Sequence, residues 1–130
     1  MAEESCSCST SANVVLACSG GSNVGQLTNE AARRLNDEKL AKFFCLAGVG
    51  GRISGMVASV KGADRVLVID GCAVACAKHC MAQAGIEEYQ YLVVTDLGVE
   101  KNAELELVEP EVNRVLTECR SRLSYPGVGK

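Results

Sequence analysis

The chain has 130 residues, 48% of them hydrophobic, with 13 glycines and no Trp. That is enough for one domain with a real core, built from Val, Leu, Ile and Ala rather than aromatics. The net charge of −3 comes without a Lys/Arg cluster, which argues against nucleic acid or an anionic membrane as partner. No apolar run has the length of a membrane span, and the start Met1-Ala2-Glu3-Glu4-Ser5 is acidic where a secretory signal is basic and then apolar. The expectation is a cytoplasmic protein.

In chain order, residues 1–12 are rich in Ser, Thr and Glu and read as a mobile tail ahead of a single α/β domain over 13–130. The run Val14-Val15-Leu16-Ala17 predicts a first buried strand that ends at Cys18. Ser19-Gly20-Gly21-Ser22-Asn23 is a turn, with Ser22 or Asn23 as helix N-cap. Val24, Leu27, Ala31 and Leu35 have helical spacing, so a helix is predicted over about Val24–Asn36. A second strand through Ala41-Lys42-Phe43-Phe44 is expected to end near Leu46. A Gly48-Val49-Gly50-Gly51 loop and a short helix over Ile53, Met56, Val57 and Val60 follow.

Val66-Leu67-Val68-Ile69 predicts a third strand that ends at Asp70-Gly71-Cys72, with Gly71 allowing a sharp turn. A helix over about Val74–Ala84 follows, with Gly85 as a left-handed cap. Tyr89–Thr95 predicts a fourth strand. Residues 97–108 do not read clearly, and Glu109-Pro110-Glu111 opens a last helix whose apolar face is Val112, Val115, Leu116 and Cys119. The pattern β-α-β-α-β-α-β-α predicts a three-layer α/β sandwich. Its four-stranded sheet should be mostly parallel, Rossmann-like and of order 2-1-3-4.

Eight cysteines need a reason in such a domain. Cys18, Cys45 and Cys72 fall about 27 residues apart, each just after a predicted strand, and Cys76 lies one helical turn beyond Cys72. About 27 residues is one strand–helix unit. The thiols should therefore emerge together at the carboxyl ends of parallel strands, where open α/β sheets bind ligands. That points to a thiolate site for metal or redox chemistry. Cys80 and His79 on the same helix, and Asp70 and Asp96 after strands, are further candidates. Cys119 reads as core, and Cys6 and Cys8 form a C-x-C in the tail. Gly20, Gly21 and Ser22 are expected to turn backbone N–H groups toward the crevice and hold a small anion, with Arg52 or Lys78 to balance charge.

The run Cys-Ser-Gly-Gly-Ser-Asn-Val-Gly-Gln at 18–26, the loop Cys45-Leu46-Ala47-Gly48-Val49-Gly50-Gly51 and Asp70-Gly71-Cys72 with Cys76 resemble the DGC-domain family of small zinc-binding proteins. The likeness covers roughly residues 13–98, and the Asp-Gly-Cys triplet that names the family stands at 70–72. The resemblance implies zinc on Cys18, Cys45, Cys72 and Cys76 and supplies no reaction. Zn²⁺ suits four thiolates. Low-pKa thiolates beside an anion loop also suit a redox or sulfur-transfer enzyme with a small anion or thiol as substrate, and four cysteines also suit an iron–sulfur cluster.

Overall fold

The computed structural model describes residues 13–124. Residues 1–12, with Cys6 and Cys8, lie outside them, as do the last six. Four parallel strands form one sheet: β1 (Asn13–Ala17), β2 (Lys42–Phe43), β3 (Arg65–Asp70) and β4 (Gln90–Val93). The order is β2-β1-β3-β4, as the sequence predicts. Val15 is level with Leu67 on one side and Phe43 on the other.

Alternation within the strands sorts their side chains into two cores. Val15, Ala17, Leu67 and Ile69 face α1 (Asn23–Asp37) and α5 (Glu109–Ser124), where Leu27, Ala31, Leu35, Val115 and Leu116 meet them. Val14, Leu16, Val66 and Val68 face the other way, against Val49 of α2 (Leu46–Gly50), Val60 of α3 (Ser54–Lys61) and Met81 of α4 (Cys76–Gln83). β3 is buried on both faces from Val66 to Asp70, which accounts for its unbroken apolar run. Cys119 lies in the first core, and burial pushes its thiol up to about 12.

Three predicted boundaries shift. β2 ends at Phe43 rather than near Leu46, and the glycine-rich segment after it is helical. The reason is packing. A Cβ on Gly48 would sit 3.1 Å from Met56, and one on Gly50 would sit 3.0 Å from Cys80 Sγ, so the glycines let α2 lie close on α3 and α4. α4 starts at Cys76 and not Val74, because Ala75 takes the left-handed conformation (φ 60°) just before it. β4 stops at Val93, and Val94–Leu97 closes one 3-10 turn. Gly85 is left-handed (φ 74°), as a helix cap requires. Residues 98–108 form no regular element.

Candidate thiolate site

In this strand order the chain leaves β1 toward β2 on one side and reaches β3 on the other, so a crevice opens above β1 and β3. Cys18 stands at its edge, with its N–H donating to the Ile69 carbonyl (3.1 Å). Beneath it Thr28, fully buried, gathers the loop. Its hydroxyl accepts from Ser19 N (3.0 Å), donates to Gly25 O (2.7 Å) and lies 3.7 Å from Cys18 Sγ. Ser22 caps α1 by accepting from Gly25 N (3.1 Å).

Gly71 has a different role from the predicted one. Its φ is not positive; it is needed because β3 ends against the start of α1. A Cβ on Gly71 would come within 2.9 Å of Gly25 N, and one on Gly25 within 2.5 Å of Gly20 O. Gly71 thus lets the Asp70-Gly71-Cys72 turn lie against the backbone of the first turn of α1, and Gly25 lets that same turn close onto Gly20 of the Cys18 loop.

Asp70 is 1% exposed, and its carboxylate accepts from Ala77 N (2.7 Å), Lys78 N (3.0 Å) and the Tyr91 hydroxyl (2.7 Å). It thus caps α4 from β3 and fixes Cys76, the helix's first residue. Burial, and then the bond to Asp70, push the Tyr91 phenol far above its ordinary value. The left-handed Ser19 (φ 54°) and Ala75 (φ 60°) sit beside Cys18 and Cys76, so two of the four left-handed non-glycine residues among the described residues adjoin the thiols.

Cys72 is half-buried. The Val74 backbone N–H bonded to its sulfur holds its thiol below the ordinary value, and Lys101, with Nζ donating to Sγ at 3.2 Å, acts in the same direction. Cys72, Cys18 and Cys76 line one crevice of about 190 Å³ together with Gly20, Gly21 and Lys101. A second, more apolar crevice of about 570 Å³ adjoins it, lined by Cys18, Cys45, Cys76, Cys80 and the aromatic Phe43 and Phe44. Burial, and then the neighbouring Cys76, push the Cys80 thiol up.

The structure thus strings the sequence-predicted thiols along one rim. Cys18 and Cys76 belong to both crevices, Cys72 to the first, and Cys45 and Cys80 to the second. Among the described residues no three Cys, His, Asp or Glu side chains stand close enough to hold a metal ion together. His79 is exposed, with Nδ1 2.8 Å from the Ala75 carbonyl oxygen, and does not line either crevice. Lys78 lies 5.3 Å over the Tyr91 ring, and neither it nor Arg52 lines the Cys72 crevice. The cation there is Lys101, which sequence reasoning missed because it falls in the segment without periodicity.

No helix of the described residues is long and apolar enough to cross a membrane. No solved structure matches the chain significantly. The chain is 35% identical over 114 residues to the anaerobic and virulence modulator AnvM of Pseudomonas aeruginosa, a match that covers 88% of this chain and 86% of that protein. Residues 14–119 match the DGC domain, from the first strand to Cys119 of the last helix. On that match and that relative, the chain belongs to the DGC-domain family.

Proposed function

We propose that this protein binds a zinc ion through the thiolates of Cys18, Cys45, Cys72 and Cys76. The observation that carries the reading is that Cys18 and Cys76 line both crevices, between Cys72 on one side and Cys45 on the other. The donor set is soft, as zinc prefers. The nearest carboxylate, Asp70, is already taken up by two backbone N–H groups and a phenol. The side chains must draw together to bind, since they do not form a closed cage as they stand. A bound zinc would supply the charge that holds the thiolates together; the protein's part is to position α4 and the two loops.

A second reading uses the same rim as a reactive thiol, and it is favoured by the Val74 N–H and the Lys101 ammonium at Cys72. The relative's description as an anaerobic modulator fits either reading, because thiolates are oxidised in air.

Metal analysis and the absorption spectrum of protein purified anaerobically without added metal test both. About one zinc per colourless chain is expected. A brown protein would mark an iron–sulfur cluster instead, and a metal-free protein with freely titrating thiols would leave the second reading.

A further inference from the structure

We infer that the Cys72 crevice selects small anionic solutes, with Lys101 as the selecting residue and Asn23 as the residue that positions it. The ligand class is a small molecule carrying a carboxylate or a comparable oxyanion next to the atom that meets the Cys72 sulfur. This inference rests on the second reading above, in which Cys72 is open to solutes.

Three features carry it. First, the segment that supplies Lys101 has no secondary structure of its own, yet it is pinned. Buried Asn23 donates from Nδ2 to the Glu100 carbonyl (2.8 Å) and accepts at Oδ1 from Asn102 N (2.7 Å). Its backbone N–H donates to the Asn102 carbonyl (3.2 Å). One side chain thus grips the residues on both sides of Lys101 and sets its ammonium 3.2 Å from Cys72 Sγ.

Second, the crevice floor offers little opposing charge. Asp70 is the one carboxylate among the residues lining it, and its oxygens are engaged by Ala77, Lys78 and Tyr91. Third, at about 190 Å³ the crevice is smaller than the roughly 300–1,000 Å³ of drug-sized sites, and part of its lining is bare backbone at Gly20 and Gly21, where a Cβ would meet nothing within 4 Å. A small anion can reach both the ammonium and the sulfur there.

The test compares alkylation of Cys72 by iodoacetate, an anion, and by iodoacetamide, its neutral analogue, in the full chain as purified. In both reactions the sulfur forms a bond to carbon and iodide leaves, so the two reagents differ in charge. Their rate ratio cancels any change in the amount of thiolate. Peptide mapping assigns the label to Cys72, and glutathione gives the reference ratio.

The iodoacetate-to-iodoacetamide ratio at Cys72 should exceed that of glutathione and fall about fivefold in Lys101→Met. It should recover in Lys101→Arg and shrink as salt is raised. Lys101 is exposed, so these variants should fold. Asn23→Ala should lower the ratio as Lys101→Met does while iodoacetamide still labels. An unchanged ratio in Lys101→Met, with both reagents still labelling, would overturn the inference and leave the thiol reading standing. A wild-type Cys72 inert to iodoacetamide would overturn the thiol reading, and the inference with it.

Discussion

Asp70 sits at the centre of the site without facing a ligand. A carboxylate that is 1% exposed and accepts three hydrogen bonds is a structural anchor; each such bond to a charged group is worth about 1.5–3 kcal/mol, and removal strands its donors. Asp70→Ala should therefore lower unfolding stability by about 3 kcal/mol, measured by urea denaturation. Tyr91→Phe, which removes one of the three donors, should cost about 1.5–3 kcal/mol. Gly71→Ala should cost roughly 2–3 kcal/mol, because its Cβ meets backbone that cannot step aside. If Gly71→Ala were as stable as the wild type, the close approach to the first turn of α1 would not be what requires glycine there.

At the scale of elements, α1 and α5 share one face of the sheet and are tied at their surface by Arg34, which donates to Glu109 (2.7 Å) and to Glu30 (2.7 Å), and by Arg120 on Glu38 (2.7 Å). Hydrogen bonds hold three carboxyls below the ordinary range: Glu30 through Arg33 first and then Arg34, Glu38 through Arg120, and Glu109 through Arg34. The sign follows. A lowered carboxyl pKa adds stability that is present above the unfolded value of about 4.3 and is lost as pH falls through the folded value. Thermal melts should fall between about pH 5 and pH 3, and Arg34→Ala should flatten that fall. High salt should flatten it as well, since these pairs are exposed and screened.

The elements themselves were largely legible. Strict apolar runs announced β1 and β3, and 3.6-residue spacing announced α1 and α5. β2 was overextended because only two residues pair with Val14 and Val15 before Cys45 turns the chain into α2. The Gly48–Gly51 segment was misread as a loop because glycine marks both flexible turns and tight helix contacts, and only the neighbours Met56 and Cys80 tell which. Lys101 had no signal at all. Its position is set by Asn23, about 80 residues away in sequence, through hydrogen bonds that leave no periodicity.

For the whole molecule, fold and site should be separable. The two aliphatic cores lie between the sheet and its helices, while the thiols stand on the rim at one end of the strands. Under the zinc-binding role proposed above, Cys72→Ser should lose the metal yet keep the far-UV circular dichroism of the wild type, because the cores carry the folding free energy. Loss of that signal together with the metal would mark the site as structural. The even strand–helix interval that first grouped Cys18, Cys45 and Cys72 reflects this arrangement, for each repeat delivers its thiol to the same end of the sheet.

Tyr91 gives the molecule an optical property. The chain has three tyrosines and no tryptophan, so its near-ultraviolet emission is not masked by indole. The Tyr91 hydroxyl donates to the Asp70 carboxylate that caps α4, and Lys78 lies over its ring. Any event that shifts the first turn of α4, where Cys76 stands, therefore alters the hydrogen bond and the field at this phenol. Tyrosine fluorescence should report occupation of the thiol rim without a label, and Tyr91→Phe should silence that response while Tyr89→Phe leaves it.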